Sequence, residues 1–446
     1  MRAPRTSAST WWTSGSATGN TPGITARTNR TCATGPGPTD RPHPALPQRG
    51  RGESRVRVLV LNVGSSSLKG SIVDSVDLAA IAKAEVSLGT DATRAKGLQR
   101  TVESLLKKLG VAAPSLTLPR ERGRGFAVEA VGHRVVHGGT KFRQAVRVDD
   151  RVLKGIEALA EFAPLHNPVA AATIRAAQAA LPTIPQVVAF DTAFHATLSE
   201  EQYLYPVPWR WHREYGIRRF GFHGLSVEWS TGRAAQLLAR PAAELGLVVA
   251  HLGSGCSVTA VLGGRSVATS MGLTPMEGLM MGTRAGSIDP GILLYMLRTR
   301  RAGRQELEMA LDHESGLVGV FGRAAGMREI EKAAGEGNKR AQLAIDMFVS
   351  RAAAGIAAAA TTLPRLDAMV FTGGIGEHSA SVRSAIARRL APLGLRAVPA
   401  TDVRNDAVIS EQGSPVVVLR IEAREDATIA RHVSDLVGRS GRAVIG

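Results

Sequence analysis

From Val56 onward the chain alternates between short apolar runs that end in glycine and longer stretches with helical spacing. Val56–Asn62 is a β-branched run leading into a Gly/Ser loop, and Gly70–Val73 resumes as a second strand. The same arrangement recurs 189 residues later, where Val248–Thr259 aligns with Leu59–Gly70, placing Gly253 on Gly64 and Ser254 on Ser65. Each copy reads as strand, glycine turn and returning strand, the second returning through Val258–Leu262. One such hairpin is weak on its own. Two, one at the start of each half, predict a duplicated domain whose turns offer backbone N–H groups to a phosphate between them. A third strand leads from Met369 into Thr372–Gly376, and helical stretches cover Arg151–Phe162, Pro168–Ala180, Ala325–Ala334 and the Ala-rich Arg340–Leu363. This alternation predicts an α/β protein.

Residues 1–54 break the pattern. They are rich in Thr, Ser, Gly, Pro and Arg, lack apolar periodicity, and are predicted to form an unstructured leader. An Arg-rich, acid-poor leader suggests a transit peptide, yet Trp11, Trp12 and the stretch Gly35–Pro47 form no amphipathic helix. After Met1 the next methionine is Met271, so a start near Val56 or Val58 would use a non-Met codon; the expectation is translation beginning there.

Composition narrows the class. The 446 residues predict about two to three domains, and 44% hydrophobic with 21% charged residues is enough apolar content for a core. Glycine is abundant at 48 and aromatics scarce at 4%, which favours a glycine-looped α/β protein. Cys32 and Cys256 alone exclude a disulfide framework and a cysteine-built zinc site. No apolar run reaches about 18 residues, so no membrane span is expected. The net charge of +17 and pI near 10.8 raise nucleic acid as a partner. Seven arginines against Asp40 and Glu53 place +5 of that charge in the leader, and the remaining +12 is dispersed. A dispersed excess suits small anionic substrates, so no nucleic-acid partner is expected.

Four motifs carry chemistry. Asn62–Lys69 offers three hydroxyls, a glycine turn and a lysine after a buried strand, the means of holding a phosphate; Leu68 in place of a second glycine excludes a Walker A loop, and a plain hairpin turn is the alternative. Gly132–Gly139 sets Arg134 at a strand end, ready to grip a carboxylate or phosphate with both prongs. His133 and His137 share a face of an extended run about 13 Å apart, which reads as core histidines and not a metal pair. Pro164–Pro168 with His166, Phe190–His195 with Asp191, and Phe220–Gly224 with His223 each put a polar residue at an element end, where a lone His or Asp is usually structural. Thr269–Pro290 is a long turn-rich stretch with Arg284 among glycines, its methionines expected in the core.

Together these motifs resemble the acetate kinase (acetokinase) family, the match running from Val56 to about Arg431. The resemblance implies two duplicated ribonuclease-H-like domains of the sugar kinase/Hsp70/actin superfamily, with an active-site cleft between them. It implies domains at 55–195, completed by about 427–446, and at 196–426. It further implies a cytoplasmic homodimer that transfers a phosphoryl group between ATP and acetate with Mg²⁺, or Mn²⁺ in its place. By matching positions, Arg134 and Arg284 become the catalytic arginines, His223 the transition-state stabiliser, His166 a supporting histidine and Asp191 the acidic residue. Asn62 and Glu425 match the metal-associated positions, and Lys69 a nucleotide-phosphate contact. Val136, Leu165, Phe222 and Pro275 match the acyl pocket, with Arg134 binding the substrate. The nucleotide segments correspond to His251, Leu252, Gly253, Ser254 and Gly255, to Gly326, Met327 and Arg328, and to Gly374, Ile375, Gly376, Glu377 and His378.

The chain departs from the family pattern at Ser254 and His378, where Asn is usual, at Gly326 and Ser287, which replace Asp, and at Leu225 and Val227, which replace Thr and His. Most of these positions bear on nucleotide affinity and purine preference. The rival activities are propionate or butyrate kinase; the rival class is an actin- or Hsp70-like ATPase, which has no use for a carboxylate clamp at Arg134 and Arg284. A carboxylate acceptor is already ionised at pH 7, so Asp191 is expected to orient a cation and not to act as a base.

Overall fold

A computed structural model describes residues 55–64, 67–88, 95–111, 126–401 and 403–442. The leader, and Ser65 and Ser66 of the first motif, lie outside the described residues.

Among the described residues, twelve strands form two six-stranded sheets. The first contains β1 (Arg57–Val63), β2 (Ser67–Asp74), β3 (Ala80–Ser87), β4 (Ala130–Val135), β5 (Val146–Arg147) and β6 (Gln186–Phe190). The second contains β7 (Gly246–Leu252), β8 (Cys256–Leu262), β9 (Arg265–Thr269), β10 (Ala368–Thr372), β11 (Ala407–Val408) and β12 (Val417–Arg420). Their orders are β3-β2-β1-β4-β6-β5 and, from the matching edge, β9-β8-β7-β10-β12-β11. Every strand of one sheet thus has a counterpart in the other. In both, the opening hairpin is antiparallel, the next two strands are parallel to its first, and the last pairs antiparallel. The aligned hairpins predicted from sequence are the cores of this duplication.

The central strands carry almost continuous apolar side chains because both faces of each sheet are covered. One face of the first sheet packs on the helices Ala95–Leu109 and Asn167–Ala180 through Leu59, Leu61, Leu105 and Ile174. Its other face receives the last helix, Glu425–Arg442, through Ile429, Ala430 and Val433. Gly132 on β4 permits this approach: a Cβ there would lie 2.5 Å from Ile429 Cγ2 and 2.9 Å from Val433 Cγ2. The second sheet packs on the helix Gly224–Leu237 through Val227 and Ala234 and, on its far face, on Lys339–Ala360. The two inner helices are joined by Glu228, which accepts from Arg431 Nη2 at 2.5 Å and from His432 Nε2 at 2.9 Å.

One helix among the described residues has membrane length, although Lys339, Arg340, Asp346 and Arg351 interrupt its apolar run. Lys339–Ala360, with a mean hydropathy of 1.5, is long and apolar enough to cross a membrane. Alanines keep it helical, Asn338 caps it by accepting from Ala341 N, and Phe348, Val349, Ala352 and Ile356 bury themselves in the second core.

Candidate active site

The polar residues predicted from sequence gather where the C-terminal ends of the parallel strands in both sheets come together, the place where open α/β sheets leave a crevice. Asn62 sits directly opposite Lys69 in the β1–β2 register, and Arg134 lies one step beyond the β1–β4 pairing, so the three share a sheet face. Arg134 donates from Nε to Asp191 Oδ1 at 2.9 Å and from Nη2 to Oδ2 at 2.5 Å. Its Nη1 donates to Asn62 Oδ1 at 3.2 Å, and Glu425 Oε2 stands 3.3 Å from its Nε. Asn62 Nδ2 donates in turn to Glu425 at 3.4 Å. Burial pushes the Asp191 carboxyl upward against the pull of Arg134, while Arg134, despite its own burial, is held charged by Asp191 and Glu425.

His223 heads the helix Gly224–Leu237 in the left-handed conformation, at φ +60°. That conformation costs a non-glycine residue energy and is typically kept where the surroundings enforce it. Four contacts enforce it here. Gly224 N donates to the Asp191 carbonyl at 2.9 Å, and a Cβ on Gly224 would lie 2.2 Å from that oxygen. From behind, His195 Nε2 donates to the Phe222 carbonyl at 2.9 Å while its Nδ1 lies 2.9 Å from Ser266 Oγ. The His223 ring stacks on His251 with centroids 4.1 Å apart and has Nδ1 3.0 Å from Ser257 Oγ. Burial, then His251, Arg134 and Arg284, push His223 well below the ordinary histidine range; burial and Arg134 lower His251 to about 4. Both imidazoles are therefore neutral at pH 7.

Arg284 completes the set. Its Nη1 donates to the Pro275 carbonyl at 2.7 Å, and its Nε stands 3.3 Å from Asp312 Oδ1. A Cβ on Gly255 would stand 3.3 Å from His223 Nε2 and 3.8 Å from Arg284 Nη1, so glycine leaves open the space those two groups flank. His166 lies within the field of the same cations: burial first, then Arg284 and Arg134, lowers it. Phe222 and Val136 are buried and Pro275 half-buried, whereas Leu165 is 54% exposed. The wall assigned to Leu165 thus stands partly open.

The glycine segments assigned to nucleotide lie beside this cluster. Gly253 and Gly374 approach each other across the ends of β7 and β10. Ser254, Gly326, Arg328, Gly374 and His378 are exposed, Gly253, Gly255, His251 and Ile375 half-buried, and Leu252, Met327 and Gly376 buried. Glu377 is turned inward, accepting from Ala423 N at 2.9 Å with Arg420 Nη2 at 3.6 Å. Lys69 is exposed.

Some site residues escaped sequence reading. Asp312 follows no motif, and nothing local marks it as the partner of Arg284. Arg219 donates from Nη1 to the carbonyls of Thr269, Ser270 and Met271 at 3.0–3.1 Å and from Nη2 to Glu277 at 2.7 Å. Tyr205 bonds Glu277 and accepts from Leu273 N at 3.0 Å. Together they fix the loop that carries Pro275. His133 and His137 are core histidines, as expected: His133 Nε2 is 2.8 Å from Gln186 Oε1, and His137 packs on Phe220 and Phe222.

Arg134 and Arg284, the neutral His223 and the carboxylates of Asp191 and Glu425 are gathered at the ends of the duplicated sheets. The acetokinase family model matches residues 57–431. The chain belongs to the acetokinase family. The acetokinase match extends to an acetate kinase of Deinococcus radiodurans, 45% identical over 403 residues, covering 86% of this chain and 99% of that protein. Among solved structures, an acetate kinase of Porphyromonas gingivalis gives a TM-score of 0.75 at 30% identity, covering 86% of this chain and 100% of that one. A propionate kinase of Francisella tularensis gives 0.74 at 33% identity, covering 85% and 99%. As an acetokinase the protein is a phosphotransferase, and its two sheets are the duplicated α/β fold of that family.

Proposed function

We propose that the protein is an acetate kinase, transferring the γ-phosphoryl of ATP directly to acetate, reversibly, to give acetyl phosphate and ADP. The observation that carries this reading is the pairing of Arg134 and Arg284 around His223, each arginine steadied by its own carboxylate, Asp191 and Asp312. In-line phosphoryl transfer asks for alignment and cations on the equatorial oxygens, not for covalent help. Arg134 grips the carboxylate of the acceptor and Arg284 the phosphoryl in flight. With Nδ1 accepting from the Ser257 hydroxyl, the neutral His223 ring presents Nε2–H as a hydrogen-bond donor to the transferring oxygens. Asp191 orients Arg134, and His166 supports the phosphate side.

Asn62, Asp191 and Glu425 are the residues that would hold Mg²⁺. Among the described residues no group of three His, Cys, Asp or Glu is arranged to bind a metal alone. Two carboxylates and an amide oxygen nevertheless fit an ion that takes most of its ligands from water and phosphate oxygens. When bound, Mg²⁺ or Mn²⁺ supplies charge neutralisation on the nucleotide phosphates. ATP is assigned to His251–Gly255, Gly326–Arg328 and Gly374–His378, with Lys69 toward its phosphates. The glycine turns leave room for close backbone approach.

Exposed apolar side chains support a homodimer: Ile292, Leu294 and Tyr295 on Pro290–Tyr295, Leu297 on the π-turn after it, and Trp209, Trp211 and Tyr215 on Trp209–Tyr215. A cytoplasmic location suits an enzyme of ATP and acetate, and domains at 55–195 and 196–426 suit the duplicated sheets.

The deciding experiment incubates the protein with ATP, Mg²⁺ and hydroxylamine, and with acetate, propionate or butyrate, and measures acyl hydroxamate. Acetate is expected to lead, and no hydroxamate from any acid would overturn the reading. The exposure of Leu165 favours a second reading, propionate kinase, because an open wall admits one more methylene.

A further inference from the structure

A cavity of about 240 Å³ lies outside the set of residues assigned above, lined by Gly139, Thr140, Arg143, Thr192, Tyr203 and Arg218 among others. Two of these are arginines, and neither pairs with a carboxylate among the described residues. Arg143 donates from Nη2 to the Ala196 carbonyl at 2.6 Å, which anchors it without neutralising it. Arg218 places its Cζ over the Tyr203 ring, 3.7 Å from the centroid, and donates from Nε to the Arg219 carbonyl at 3.2 Å. Burial lowers Arg218, Tyr203 offsets part of the loss, and Arg143 adds a smaller repulsion. Two cations share a recess whose lining, among the described residues, holds no acidic side chain. Hydroxyls complete the lining: Thr192 Oγ accepts from Gly138 N at 2.9 Å, so its own hydrogen is left to donate, and Thr140 adds a second, while Tyr203 Oη donates to Glu200 Oε1 at 3.5 Å.

We infer that this cavity is a second anion site, which takes a small dianion of the phosphate or dicarboxylate type on Arg143 and Arg218. A guanidinium pair with hydroxyls matches the geometry of such oxyanions, and binding would remove the repulsion now stored between the arginines. The site is placed to influence catalysis. Gly139 and Thr140 continue from the strand that carries Arg134, Thr192 follows Asp191, and Phe220 is three residues before His223. An occupant therefore braces the backs of the loops whose fronts hold the reacting groups, and acts as an effector of the proposed kinase.

Calorimetric titration with inorganic phosphate, and separately with malonate, tests this in the full-length protein, in Arg284→Ala, in Arg143→Gln and in Arg218→Gln. The expected result is a site that persists in Arg284→Ala and weakens tenfold or more in both cavity variants. Phosphate binding with that pattern identifies a phosphoryl-type effector, and malonate binding with it a dicarboxylate. Binding lost in Arg284→Ala but unchanged in Arg143→Gln, or no binding of either anion, overturns the inference. Should Arg218→Gln fail to fold, the exposed Arg143 decides. Because these readouts are binding and not turnover, they stand apart from the hydroxamate assay.

Discussion

The backbone amide of Gly224 donates to the carbonyl of Asp191 across 2.9 Å, tying the residue that orients Arg134 to the turn that presents His223. A methyl group at 224 has no room, since its carbon would stand 2.2 Å from the Asp191 oxygen. Gly224→Ala is expected to cost about 1–3 kcal/mol by overpacking, and to displace Asp191 and His223 together, so turnover falls further than stability alone explains. Gly335→Ala, where a Cβ meets open space, is the control and should match the parent. Melting curves and initial rates check both; a parent-like Gly224→Ala would sever the proposed coupling.

Arg134→Ala and Arg284→Ala are each expected to lower turnover a hundredfold or more while the protein stays folded. Each removes charge stabilisation that matters most in the transition state. Lysine should rescue poorly, because the bidentate grip that Arg134 has on Asp191 needs a planar fork. Asp312→Asn tests the residue that sequence missed, with a smaller loss expected, since it only steadies Arg284.

Much of this was legible in the chain. The repeat of Leu59–Gly70 at Val248–Thr259 foretold the matched hairpins because buried central strands write their burial directly into apolar runs. The helix expected at Arg340–Leu363 appears as Lys339–Ala360, started by the Asn338 cap and ended ahead of Pro364, whose ring disfavours a helical residue before it. The two-residue strands β5 and β11 left no readable period. Arg134 stood out at a strand end among glycines, whereas Asp191 and His223, each a lone polar residue at an element end that reads as structural, were singled out by resemblance. Asp312 and Arg219 did not stand out, because their roles come from partners far along the chain. The pocket wall at Leu165 was assigned by resemblance, and its exposure depends on tertiary placement that no local pattern encodes.

Stability should fall on mild acidification. Burial lowers His133, His137 and His195 to about 4. The unfolded chain, with ordinary histidines near 6.5, therefore binds more protons than the folded one between about pH 6.5 and 4. Stability is complete above that window and is lost as pH falls through it, by roughly 3 kcal/mol at most for each group. The melting temperature is expected to drop clearly from pH 7 to pH 5. An unchanged melting temperature over that range would show that these rings are protonated without penalty.

Acyl-chain preference follows from the pocket. Phe222 and Val136 are buried, so an added methylene costs about 1–3 kcal/mol where it meets them, against a gain of about 0.8 kcal/mol where it finds room. Efficiency is expected to fall from acetate to propionate and again to butyrate. Val136→Ala should narrow the gap with only a modest loss on acetate. Kinetics of both proteins on the three acids decide it, and butyrate matching acetate in the parent would show that these residues are not the wall.

The last helix, Glu425–Arg442, lies against the sheet built from the first strands, in the space that Gly132 leaves for Ile429 and Val433. On the ribosome, β1 and β4 therefore emerge long before the surface that covers them. Nearly 300 residues separate Gly132 from Ile429, which at ordinary synthesis speed is about 15–60 s of exposure for Val58, Val60 and Ala130. The first sheet cannot be covered until Glu425–Arg442 has been made, so a nascent chain stalled before Glu425 presents a bare apolar face and becomes a client for chaperones.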